Sequence, residues 1–511
     1  MPNLHALTLS DVLHRNALSY PQRPAVVCET HRFTYPQLEA RVNKLANALA
    51  KEGVAQGERV LWIGQNCHRV LELLLACARL GAIFCPANWR QSPAELGFVI
   101  DDCDPQVVVW QEEEIGDTAK AAREQVKSNA RWLEHNRGEY EELLASGSAE
   151  DPGVEVDPMS PVLMMYTAAF GGTPNGALLT HHGQIAQSIV MAGVQGVDSE
   201  YVYVNSGPLF HVATFMTTLA TFLYGGNNVF MRRFDATNFC QVVEREGVTG
   251  AFLVGAMLQD VVDANKDRSY NLKTLRTIPA FAPKEWLEMT TPDDSPWALR
   301  PAGYGQTEVG GMATLNAIGD PGIGSHGRPS PVLQVSVVGP DDEELPAGEV
   351  GEIVVRGSTV MAGYWRRPEL NAERQRNGWH HTSDLGRRES DGSLSFIGPK
   401  TRIIKSAAEN IYPIEVESCI MKHPAVDDAC VIGVPDPRWT QSVKAIVVLR
   451  DGMIATEQEI IDHCRTHIAS YKKPRTVEFS DKALPRTQAG LHDRDAIDAT
   501  YGGGGYPGSG S

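Results

Sequence analysis

No apolar run in these 511 residues is long enough to span a membrane, and no C-x-x-C pair occurs. The first absence argues against stable membrane insertion. The second, with nine scattered cysteines, an odd number, argues against a disulfide framework and favours reduced thiols of a cytoplasmic protein. No G-x-G-x-x-G follows a strand-like segment, which disfavours a nicotinamide enzyme. Cysteine and histidine do not cluster along the chain, so no zinc site is expected. Positive charge is also short. The 46 basic residues against 63 acidic ones leave a net charge of −17, which disfavours nucleic acid as a partner while leaving room for a local anion pocket. The polar N-terminus reads as no signal peptide.

What is present is α/β alternation over a chain too long for one ordinary core. Thr34 can cap a helix carrying Leu38, Val42, Leu45 and Leu49 at helical spacing, and Gly53 stands where it would end. The strand "RVLWIG", a helix over 68–80, the strand "AIFC", a Ser92-x-x-Glu95 capping box and the strand "QVVVW" follow. Between 332 and 357 the pattern changes to antiparallel hairpin structure. The expected architecture is a large domain over 1–398 with packed mixed α/β sheets and a β-barrel-like part. A small, mobile α/β domain over 399–500 and a low-complexity, disordered tail over 501–511 complete it.

One stretch bears on chemistry, "LMMYTAAFGGTPNGALLTHHG" from Leu163 to Gly183. Gly171 and Gly176 have the spacing of a Walker A loop, but Ala177 and Leu178 stand where Lys and Ser/Thr would be, so that motif fails. Alone, the segment could be a phosphate loop or an ordinary turn.

Taken with "PLFH" (Pro208 to His211), "YGQTE" (Tyr304 to Glu308), "HHTSDLG" (His380 to Gly386), "RIIKSAAENIYPIEVE" and "LPRTQAG", the chain resembles the adenylate-forming superfamily, and within it acyl- and aryl-CoA synthetases. The resemblance implies activation of a fatty or aromatic acid with ATP and Mg²⁺, then transfer to CoA. It places the phosphates at Thr167, Gly171, Gly172 and Gly176, the α-phosphate at Thr307 and Mg²⁺ at Glu308, a hard oxygen ligand. Tyr304, Gly305, Gln306 and Lys405 would also face the nucleotide, and Asp384 would accept from both ribose hydroxyls. His211 would act as the gate over the acyl site, either in that role or as a packed core histidine. Gly303, Gly310 and Met312 would line the acid pocket, with "LVGAMLQD" and "AFAPKEW". Trp439 would stack on the CoA adenine, with Lys472, Lys473 and Arg475 near its phosphates. A homodimer stays open.

Several positions depart from the family pattern. Ala168, Ala169, Phe170, Gly171 and Asn175 remove hydroxyl and ammonium donors from the loop, leaving backbone amides to bind phosphate. Pro399 replaces an arginine, Arg402 stands at the hinge position, and Ala407 and Ala408 replace a glycine pair beside the thiol channel. Leu491 occupies the place of the lysine that bridges carboxylate and α-phosphate, which would impair adenylation. Two alternatives therefore stand beside the ligase: an adenylating enzyme with an acceptor other than CoA, and a silent nucleotide- or acyl-binding homologue.

Overall fold

The computed structural model describes residues 4–504 except 168–173, 278, 280, 281, 401, 407, 408 and 487–491. Two sheets built on parallel strands form the larger part. The first runs, in spatial order, through Gly250–Ala251, Val202–Asn205, Asn227–Phe230, Pro24–Cys28 and His31–Thr34, antiparallel only at its last pair. The second has seven strands. Its parallel core is Pro161–Thr167, Ile83–Pro86, Arg59–Ile63, Val107–Trp110 and Arg131–Glu134, and the antiparallel Asn175–Thr180 and Gly363–Tyr364 complete one edge.

Helices join the two sheets because their apolar stripes face both. Leu38, Val42 and Leu45 of Tyr35–Lys51 and Leu71 and Leu74 of His68–Leu80 share one core with Val26 of the first sheet and Trp62 and Phe84 of the second. The start of the first helix is fixed as expected: the Thr34 amide donates to Gln37 Oε1 at 2.8 Å. The Ser92 capping box also forms, with Ser92 and Glu95 exchanging bonds of 2.8 and 3.3 Å at the head of Pro93–Cys103.

The hairpin signal between 332 and 357 corresponds to Leu333–Val338 paired antiparallel with Val350–Gly357, in a five-stranded sheet with Trp379–Arg388 and Leu394–Pro399. A short three-stranded sheet, Gly303–Gln306, Gly311–Leu315 and Arg328–Pro329, lies next to it in sequence. The C-terminal part has its own five-stranded sheet and its own core, in which Val416 and Ile420 meet Ile460 and Val477. We refer to it as the lid. Order continues past the expected start of the tail at 501. Lys444 Nζ donates to the Tyr501 carbonyl at 2.8 Å and the Gly504 amide to Gly433 at 2.9 Å. Residues 505–511 lie outside the described residues. All nine cysteines are free and buried. Among the described residues, no helix is long and apolar enough to cross a membrane.

Candidate active site

A cavity of about 650 Å³ lies between the large part and the lid. Its large-domain wall includes Thr167, His211, Gly303, Tyr304, Gly305, Gln306, Thr307, Glu308 and Asp384, and its lid wall includes Lys405, Glu409 and Tyr412. Residues far apart in sequence meet there because strand ends converge on it. Pro161–Thr167 ends at Thr167, Gly303–Gln306 runs into the one-turn helix Thr307–Val309, and Trp379–Arg388 passes Asp384 across.

Tyr304, Gln306 and Asp384 form one polar network. Tyr304 Oη donates to Asp384 Oδ2 at 2.8 Å, and Gln306 Nε2 donates to the same oxygen and to Tyr304 Oη, each at 3.1 Å. The Tyr304 ring stacks on Phe396 with centroids 5.3 Å apart. Burial raises Asp384 to about 6 even though these two hydrogen bonds favour its charged form, and nearby Glu308 adds to the rise.

Glu308 is buried, at 4% exposure, and accepts from Tyr364 Oη at 2.8 Å. Burial pushes its pKa above the usual carboxylate value, against the hydrogen bond from Tyr364 and the charge of Arg374. A hard, desolvated oxygen donor held by a neutral hydroxyl fits a divalent cation such as Mg²⁺.

His211 starts the helix Val212–Leu223, and its Nε2 lies 3.3 Å from Glu409 Oε1 of the lid. Arg90 also donates to Glu409. Burial works against ionisation of this carboxyl, yet His211 and Arg90 hold it at about 2. Sequence reasoning missed Glu409, which lines the cavity, and its partner Arg90, which does not. Glu409 lies within "SAAEN", and nothing local there marks a partner 319 positions away.

Some expected residues lie elsewhere. Gly176, Gly310, Met312 and Trp439 are not in the cavity wall. At Gly176 a Cβ would come within 2.7 Å of Met164 Sδ, so a side chain there would make Met164 shift. Gly310 has a φ of +72° as it ends the turn after Glu308, a conformation that favours glycine. Met312 instead abuts Gly303, where a Cβ would meet its Cε at 2.6 Å. Trp439 carries the guanidinium of Arg438 at 4.8 Å and that of Arg475 at 5.6 Å.

Lys472 is already engaged by two carboxylates, Glu95 and Glu415, each at 2.6 Å, and so ties the lid to the large domain instead of waiting for a phosphate. The segment "LVGAMLQD" does not contribute to the wall, and Met257 and Ala282 pack with Trp286 in a separate core.

Gly171, Gly172, Ala168, Ala169, Phe170, Ala407, Ala408 and Leu491 lie outside the described residues. Around the first group, Asn175 opposes Thr167 across the strand pair and its Oδ1 accepts from Arg367 Nε at 3.1 Å. Around Leu491, Arg486 and His492 both reach Asp428, at 2.7 and 3.0 Å, and neither lines the cavity.

The chain is similar to known proteins over nearly its whole length. The chain is 37% identical over 487 residues to a feruloyl-CoA synthase of Amycolatopsis sp, covering 93% of this chain and 95% of the relative. It is 31% identical to an indoleacetate–CoA ligase of Aromatoleum aromaticum, covering 96% and 98%. Among solved structures, an o-succinylbenzoate CoA synthetase of Bacillus subtilis bound with a product analogue superposes with a TM-score of 0.79 at 25% identity, over 96% of this chain and 98% of that one. The AMP-binding enzyme family matches residues 13–365 and the AMP-binding enzyme C-terminal domain matches 415–491, so this chain belongs to the AMP-binding enzyme family.

Proposed function

We propose that this chain is an AMP-forming acid:CoA ligase acting on an aromatic or fatty carboxylic acid, and that its adenylation step is slowed by Leu491. The observation that carries the reading is one wall holding both the Tyr304–Gln306–Asp384 network and the buried Glu308, with a lid carrying Lys405 opposite. The names of the two relatives favour an aromatic acid.

In the first half-reaction an acid oxygen attacks the α-phosphorus of ATP and pyrophosphate leaves. In the second, the CoA thiol attacks the acyl carbon and AMP leaves. Asp384 takes the ribose hydroxyls, Thr307 the α-phosphate, and Thr167 and the backbone of the loop after it the outer phosphates. Glu308 is the residue that would hold Mg²⁺, which when bound offsets phosphate charge. Lys405 lines the nucleotide side and His211 screens the acyl group. Burial lowers the pKa of Lys405, while Asp384 favours its charged form.

The lid pose suits the second half-reaction. Its strand Glu409–Ile411 turns toward the cavity, whereas Arg486 and His492, which flank position 491, are drawn to Asp428 outside the wall. Similarity to a product-analogue complex supports the same assignment.

Acid-dependent ATP–pyrophosphate exchange tests this on the chain and on Leu491→Lys, with ferulic, indoleacetic and fatty acids. The lysine form should exchange about a hundred- to a thousandfold faster, the usual worth of one transition-state cation. Both forms should make thioester from supplied acyl-adenylate at similar rates. Equal exchange in the two forms would refute the impairment, and no thioester from any adenylate would refute the ligase.

A further inference from the structure

We propose that the lid carries a transition-metal site of its own, formed by Cys419, His463 and His467 and suited to a zinc-class divalent ion, with its open position toward the cavity. The sequence shows only part of it, the pair His463 and His467 four positions apart, because Cys419 is 44 positions from His463. Folding removes that separation. Cys419 comes from the helix Pro413–Ile420, while His463 and His467 stand one turn apart on Glu457–His467.

One ligand atom from each of the three residues lies within 4.8 Å of the other two. Donors around tetrahedral zinc stand roughly 3.5 Å apart, given bonds of about 2.0–2.3 Å, so side-chain rotations of about an ångström close the site. Each ring is already oriented by a carbonyl. His463 Nε2 bonds the Cys419 carbonyl at 3.0 Å and His467 Nδ1 bonds the His463 carbonyl at 2.7 Å. A proton on the bonded nitrogen leaves the other nitrogen of each ring with its lone pair, the usual outer support of a metal-binding histidine. The two rings are 4.2 Å apart.

Two imidazoles and a thiolate select zinc-like ions over Mg²⁺, which takes hard oxygens. Cys419 and His467 belong to the cavity wall, so a fourth ligand would come from that side. A second group, Glu417, Cys430 and His492, is less suited. Arg494 holds both Glu417 oxygens at 2.7 and 2.6 Å, and His492 is bound to Asp428.

Cobalt(II) titration of the full chain without an affinity tag, followed by absorbance, tests the proposal, with zinc competition giving the affinity. One equivalent should bind, with a sulfur-to-cobalt charge-transfer band and the visible bands of a tetrahedral site. Cys419→Ser should abolish the charge-transfer band and Cys430→Ser should keep it. His467 is exposed, so His467→Ala spares the fold and should weaken cobalt and zinc binding at least about tenfold. No binding at micromolar metal, wild-type affinity in His467→Ala, or a band lost in Cys430→Ser but kept in Cys419→Ser would each overturn it.

Discussion

Replacing Glu409 by glutamine asks how much of the lid's pose rests on one buried carboxylate. Glu409 is on the lid, only 11% exposed, and both its partners, Arg90 and His211, are on the large domain. Their pull outweighs burial and lowers its pKa from 4.5 to about 2. At 1.36 kcal/mol per unit, the charged form gains about 3 kcal/mol, or roughly 300-fold in the equilibrium between docked and undocked lid. Because the docked pKa is depressed, this contribution is complete above the ordinary value and is lost as pH falls toward about 2. At neutral pH it is fully present. Glutamine keeps the shape and loses the charge.

Dyes attached at the exposed positions Leu299 and Met453, one on each domain, would report docking by energy transfer. In Glu409→Gln the docked fraction should fall, and thioester formation from supplied acyl-adenylate should fall with it. Pyrophosphate exchange in a Leu491→Lys background should not change, since the docked pose is the one the proposed function assigns to thioester formation. Unaltered transfer efficiency and an unaltered thioester rate would refute the reasoning, leaving the pose to Lys472 and its two carboxylates.

Asp384→Asn should separate stability from binding. Burial raises the carboxyl to about 6, so its charged form destabilises the fold as pH rises through that value. The amide should raise the melting temperature at pH 7 while weakening ATP binding, read by calorimetry; in the unmodified chain, ATP affinity should drop several-fold from pH 7 to 5 as Asp384 takes a proton. Tyr364→Phe removes the 2.8 Å hydrogen bond to Glu308 and should raise the Mg²⁺ concentration for half-maximal activity several-fold with little loss of saturated rate. An unchanged Mg²⁺ dependence would detach Glu308 from the metal.

Local signals were readable and distant pairings were not. Thr34 with its apolar stripe and the Ser92 capping box are short-range arrangements, and both form where spacing put them. The turn through Gly303–Gln306 and Thr307–Val309 kept its motif residues together, so six of its expected site residues share one wall. Glu409 with Arg90 and Lys472 with Glu95 are separated by more than three hundred positions, and no periodicity encodes such a meeting. Trp439 and Arg475 were read together for CoA, and the structure does bring them together, but as a cation over a ring outside the cavity. Spacing reveals which residues share an element, whereas burial and charge decide which elements meet.

The cavity has a consequence for how occupancy and motion are related. Its wall is drawn from two bodies, so no occupant can touch all of it without favouring one arrangement of those bodies. Filling it and docking the lid are then linked equilibria, and each must alter the other by the same factor. A molecule that gains tenfold in affinity from the lid wall returns a tenfold bias toward the docked state. Selectivity among acids can therefore be read as a difference in domain closure, even where the contacts to the acid itself are alike.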